Sequence, residues 1–185
     1  WTCAPWDLTR VDRRQRQLGI SDPSYPHPLE PETLMAQPLT LDTLKDLPSD
    51  IRVPSYARAD LSPGIVHIGL GNFHRGHQAW YLHRLMDMGQ AHDWAIIGAG
   101  VRAADTAQRE RLKTQDYLST LIELDPKGKS AEITGSMIGF VPVEGDNAAL
   151  IAQMADPAIR IVSLTVTEGG CYQNGAGGFD TAHPD

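Results

Sequence analysis

The stretch Ile65–Gln78, IVHIGLGNFHRGHQ, sets an apolar run against a turn that carries two glycines, Gly69 and Gly71. IVHIG has the length of a short buried strand, bounded by Pro63-Gly64 before it and Gly69 after it. Residues 73–88 then bring Gly76, Ala79, Leu82 and Leu85/Met86 round at helical spacing, a stripe suited to lie on a sheet, and Gly89 is placed to end that helix. A dinucleotide fold opens in this order. Its first turn must be sharp, must let backbone approach a pyrophosphate, and must point the amides of a helix start at negative charge. Gly69 and Gly71 meet the first two needs. Where a third glycine is expected stands His74, with Gly76 two residues later, a departure that bears on helix–strand packing rather than on the phosphate contact.

Working outward, residues 94–101 (WAIIGAGV) form a second apolar run of strand length, and residues 103–115 are charged and helix-prone. Together they complete a βαβ unit with a right-handed crossover as its default. Tyr117–Leu124 and Ala131–Val143 read as two strands separated by a hairpin loop, Asp125-Pro-Lys-Gly-Lys. Asp146 is placed to cap a helix through Met154, and Ile159–Val166 reads as another buried strand. Upstream, residues 40–47 (TLDTLKDL) fit one short helix capped by Thr40 or Asp42. Residues 1–38 hold six prolines and little periodicity, the composition of a poorly ordered leader or arm, and the basic run Arg10–Arg16 within it reads as solvated surface. The expected fold class is α/β, a dinucleotide-binding domain over residues 39–185 with a mostly parallel sheet and a β-hairpin insertion.

With 185 residues, 41% hydrophobic and 21% charged, the chain can bury one core. Its 16 basic residues against 23 acidic give a net charge of -7, which excludes a binder of nucleic-acid backbone. The two cysteines, Cys3 and Cys171, form no CxxC pair, which leaves no structural zinc or dithiol motif and fits a reducing, cytoplasmic compartment. No apolar run approaches the roughly 18 residues of a membrane span. The chain opens on Trp1 and stops at Asp185 just after a glycine-rich loop, so a fragment of a longer protein is expected.

Asp105 follows the second strand, 34 positions after Gly71, where a carboxylate can accept hydrogen bonds from the adenosine ribose. The same residue can instead cap the following helix, and both readings stand. A carboxylate there repels the 2'-phosphate of NADP and favours NAD, whereas neighbouring Arg102 can pair with that phosphate. His74, His77 and His83 pose a metal question, because histidines three apart share a helix face; with no nearby cysteine or HExxH glutamate, surface or hinge histidines are the expectation, and His67 reads as a satisfied core or edge histidine. Thr167 and Glu168 lie beyond the last strand's carboxyl end, where a nicotinamide or its ribose could sit, unless they belong to a plain polar loop.

Taken together, IVHIGLGNFHRGHQAWYLHRL, WAIIGAGV with Asp105, QDYLSTLIEL, and SLTVTEGGCY ending in GGFDTAHPD resemble the long-chain polyol dehydrogenases of the mannitol dehydrogenase family, from about Pro38 to Asp185. The resemblance implies a Rossmann-type domain, NAD as cofactor, zinc-independent hydride transfer and a mostly helical second domain. It places cofactor contacts on Gly69, Leu70, Gly71, Asn72, Phe73, His74, Arg75, Gly76 and Asp105, with Thr167 and Glu168 beside them. Relatives often carry a second acid where this chain has Ala104, which weakens the preference for NAD. The reaction implied first is D-mannitol to D-fructose, with arabinitol dehydrogenation and fructuronate or tagaturonate reduction as alternatives. The partner is a small polyol or ketose, and a monomer is slightly favoured. The family's general base is a lysine in a K-x4-N-x2-H pattern. Lys45, Lys113, Lys127 and Lys129 lack that spacing, so no catalytic residue is expected in this chain and a non-catalytic NAD-binding module is the alternative if the chain is naturally this short. A short-chain dehydrogenase is disfavoured because Tyr56, Tyr81, Tyr117 and Tyr172 have no lysine four residues on.

Overall fold

The computed structural model describes residues 38–126, 128–166 and 178–182. Contacts divide the chain into two units, Gln37–Thr165 and a second made of Trp1–Ala36 with Val166–Asp185. The first unit is built on a four-stranded sheet of β2 (Pro63–Ile68), β3 (Ala95–Ala99), β6 (Met137–Phe140) and β7 (Ile161–Leu164), in the order β6-β3-β2-β7. Every pairing in it is parallel. The βαβ expectation therefore holds: β2 and β3 are neighbours, joined by α1 (Asn72–Gly76) and α2 (Gln78–Asp87). Successive residues of the central strands serve opposite faces. Ile65 and Ile96 join a core with Leu70, Ala79, Leu82, Met86 and Leu112, the last from α3 (Asp105–Lys113). Val66 and Ala99 join a second core with Val141 and Leu150, the latter from α4 (Ala148–Met154). Burial on both faces is why β2 and β3 read as continuous apolar runs instead of alternating ones.

Several expected elements need correction. The helix expected over 73–88 is broken at His77, whose φ -124 and ψ -80 lie outside the helical region. Its end is as expected, with Gly89 at φ 74 closing the last turn through a bond from its N–H to Met86 O. The single strand expected over Ala131–Val143 is two strands in two sheets: β5 (Gly128–Thr134) pairs antiparallel with β4 (Ser119–Asp125), while β6 has crossed to the central sheet. A short β1, Ile51–Arg52, runs parallel to β5 and completes the small sheet in the order β1-β5-β4. Ile159–Val166 is a shorter strand, β7, and its apolar side chains are open, with Ile161 44% and Leu164 60% exposed, because β7 lies at the margin of the described sheet. Residues 40–47 make only a 3-10 turn at Leu44–Asp46, where Thr43 Oγ1 accepts from the Thr40 amide. The hairpin forms, but its strands run into the expected loop, pairing Leu124 with Lys129 and Asp125 with Gly128. No helix among the described residues is long and apolar enough to cross a membrane.

Candidate functional site

The turn after β2 is held by backbone. Gly69 has φ 89, a left-handed conformation that a side chain would strain, and its N–H donates to Ala99 O at 3.0 Å, tying the turn to the end of β3. Gly71 precedes α1, and the first amide to bond back into the helix is that of Arg75, to Gly71 O at 3.2 Å. The amides of Asn72, Phe73 and His74 therefore come before the helical ladder begins. A methyl group added to Gly71 would meet nothing within 4 Å, so the outer side of the turn is open to an incoming group. Leu70 faces inward, only 6% exposed, and rests on Gly98 of β3, where an added methyl would collide with it. From α3, Gln108 Nε2 donates to Leu70 O at 3.4 Å.

The side chains around the turn divide into outward and inward sets. Arg75 Nη2 donates to Asn72 Oδ1 at 2.6 Å, while its Nε has no partner among the described residues. Arg75 and Asn72 line a cleft of about 330 Å³ shared with Gln108, Arg111 and Gln115. They also line a smaller one of about 190 Å³ towards Ser119 and Thr134. Phe73 is 65% exposed and stacks on His77, ring centroids 4.5 Å apart. Gly76 sits against Leu121 of β4, 3.6 Å from the position its Cβ would take.

His74 turns inward. It is 1% exposed and lies flat on His67, with centroids 3.6 Å apart and planes 9° from parallel. Its Nδ1 is 3.0 Å from Gln78 Oε1, so Nδ1 carries the proton, and Nε2 is left without a partner among the described residues. His67 is fixed from β7 and the residue after it, Nδ1 to Ser163 Oγ at 2.8 Å and Nε2 to Thr165 Oγ1 at 3.1 Å. Burial, and then the neighbouring His67, push His74 down to about 4, and burial lowers His67 too. Two neutral imidazoles thus pack where a third glycine would normally let helix and strand close up. The bulk of His74 is accommodated by stacking.

Asp105 is the first residue of α3 and not its cap, the N-cap being Ala104 with no side-chain cap bond. Its Oδ2 reaches back to accept from the Val101 and Arg102 amides at 3.0 and 2.9 Å, fixing the loop that follows β3. The carboxylate is half-buried one strand away from the glycine turn. The histidines do not gather, and only His77 is the surface residue expected: its Nδ1 bonds Phe73 O at 2.9 Å, whereas His74 is buried and pairs with Gln78, and His83 is buried beside Tyr56. Thr167 and Glu168 lie outside the described residues.

The family model for the mannitol dehydrogenase Rossmann domain matches residues 63–183. The chain belongs to the mannitol dehydrogenase family. Over 132 residues it is 64% identical to the mannitol 2-dehydrogenase of Cereibacter sphaeroides, covering 71% of this chain and 28% of that protein. It is 41% identical over 146 residues to a polyol:NADP oxidoreductase of Gluconobacter oxydans, covering 77% and 30% respectively. Among solved structures it superposes with a TM-score of 0.70 and 44% identity on the Pseudomonas fluorescens mannitol 2-dehydrogenase ternary complex with NAD and D-mannitol, covering 77% of this chain and 30% of that one. The chain thus spans less than a third of the length of these relatives.

In this mannitol dehydrogenase family chain, sequence reasoning sets His67 aside as a core histidine and passes over Gln78. His67 is such a residue, yet it also supports His74. Gln78 is findable, because it stands four residues after His74 and side chains at that spacing meet on a helix.

Proposed function

We propose that this chain is the cofactor-binding part of an NAD-dependent polyol dehydrogenase that interconverts D-mannitol and D-fructose. The observation that carries the reading is the open Gly69–Gly71 turn at the end of β2, with Asp105 beyond the end of the neighbouring strand. Family membership and the mannitol 2-dehydrogenases among the relatives support the same reaction.

The residues fit a dinucleotide. Gly69 and Gly71 give the backbone close approach to a pyrophosphate, the Asn72–His74 amides supply donors, and Arg75, oriented by Asn72, supplies countercharge. Because Asp105 binds both loop amides through Oδ2, its Oδ1 is the oxygen for an adenosine ribose hydroxyl. Its charge opposes a 2'-phosphate, and exposed Arg102 acts in the opposite sense. Thr167 and Glu168 are assigned to the nicotinamide end. Bound NAD would accept the hydride released as the C2 alcohol becomes a ketone. The proton of that alcohol goes to a base that the family resemblance puts outside these 185 residues. This chain's share of the work is therefore to bind and orient.

Fluorescence titration with NADH and NADPH tests the proposal. NADH is expected to bind at least about tenfold more tightly, the value of one charge contact at such a site. Asp105→Asn, which keeps an acceptor for the loop amides, should bring the two affinities within a few-fold of each other. Equal affinities in the unaltered protein would remove Asp105 from its role, and failure to bind either dinucleotide would remove the proposal.

A further inference from the structure

A second group of polar residues lies where α2 meets β5, and it shares no residue with the glycine turn. His83 is wholly buried, and Glu132 of β5 is 2% exposed. His83 Nε2 lies 3.3 Å from Asp87 Oδ2 and 3.5 Å from Glu132 Oε1, yet it has no hydrogen-bond partner among the described residues. The three atoms all fall within 4.8 Å of one another.

What surrounds them gives the group a purpose. Each side chain offers one atom to the common point and has its other polar atom held from outside. Asp87 Oδ1 accepts from the Ser55 amide at 2.9 Å and the Ser55 hydroxyl at 2.8 Å. Glu132 Oε2 accepts from Trp80 Nε1 at 2.7 Å and faces Arg84 Nη2 at 3.3 Å and Arg52 Nη2 at 3.4 Å. His83 Nδ1 lies 2.8 Å from the Tyr56 hydroxyl. Outer partners that fix both tautomer and ring orientation are the usual support of a metal ligand. For ligand bonds of about 2.1 Å, the edge of a tetrahedral zinc site is about 3.4 Å, and the two histidine–carboxylate separations bracket it.

We propose that His83 Nε2, Asp87 Oδ2 and Glu132 Oε1 form a divalent-cation site of the zinc class, joining α2 to the small sheet and to the Ser55–Tyr56 segment. Asp87 is the ligand with solvent access, its side chain 23% exposed, so a metal-bound water completes the set on that side. The two guanidiniums meet Glu132 through its far oxygen, and their charge lowers affinity, so micromolar binding is expected instead of the far tighter binding of an all-thiolate zinc site. For Nε2 to ligate, the ring's single proton shifts from Nε2 to Nδ1, where it is donated to the Tyr56 oxygen as the hydroxyl proton turns away.

The test uses Co²⁺ as a visible probe and Zn²⁺ as competitor on protein stripped with EDTA. Co²⁺ should give d–d absorption saturating at one ion per chain, be displaced by Zn²⁺, and raise the melting temperature of the unaltered protein. Tyr56→Phe and Ser55→Ala, which leave all three ligands in place, should each weaken Co²⁺ binding about 10–100-fold. Asp87→Asn should abolish the absorption. Identical melting curves in EDTA and in Zn²⁺, or absorption that keeps its affinity in Asp87→Asn, would overturn the proposal and leave His83 holding only a proton.

Discussion

His74 occupies the place where a dinucleotide turn ordinarily has its smallest residue, and it does so by giving up its charge. The ring lies against His67 with no room for two cations, and its pKa of about 4 is far below that of an unfolded histidine. A base whose folded pKa is depressed leaves the unfolded chain binding more protons once the pH falls below about 6.5. The stability it lends is whole above that pH and is lost progressively down to about 4. His74 alone is expected to remove about 1.4 kcal/mol per pH unit across that window. Thermal unfolding of the unaltered protein and of His74→Gln should show this: the variant starts less stable at pH 7 and falls less steeply towards pH 4. Parallel curves would mean that His74 does not carry the dependence. The sequence shows that a histidine stands in the third-glycine position, but not that His67 meets it. That meeting depends on β2 and α1 facing each other in space. Asp105 is harder for a similar reason: spacing allows it two roles, and the carboxylate satisfies loop amides that no spacing rule points to.

Elements are legible in order and kind wherever an apolar period runs long enough, as in β2, α2, β3 and the β4–β5 hairpin. Their limits are not. Ala131–Val143 carries one continuous strand-like composition, yet at Gly135–Ser136 the chain leaves the small sheet for the central one. Nothing in strand propensity marks such a transfer, since both halves bury β-prone side chains. What marks it is Arg58, which donates from Nε to Gly135 O at 2.9 Å and from Nη2 to Met137 O at 2.5 Å, with the Ser136 hydroxyl donating to Ala79 O at 2.6 Å between them. Arg58→Met keeps the apolar stem and removes both donors. It should destabilise by about 1.5–3 kcal/mol, read as a melting temperature roughly 5–10 °C lower. An unchanged melting temperature would show that water satisfies those carbonyls equally well. The turn at Leu44–Asp46 falls short of the helix its composition suggests because isolated segments of that length gain little from propensity.

Across the whole molecule, two apolar clusters on opposite faces of the central sheet place the glycine turn at the strand ends, and the turn's inner wall is part of the first of them. Leu70 belongs at once to the turn and to that core. Gly98 is the other half of this arrangement, 28 positions further along the chain, since any side chain there would take the volume Leu70 fills. Gly98→Ala should therefore behave as a binding mutant although it touches no ligand: it shifts the turn and weakens dinucleotide affinity, measured by the same NADH titration. A geneticist would meet this pair as suppression. Among revertants of Gly98→Ala selected for restored binding, smaller residues at Leu70 should recur, each harmful when introduced alone and beneficial in company.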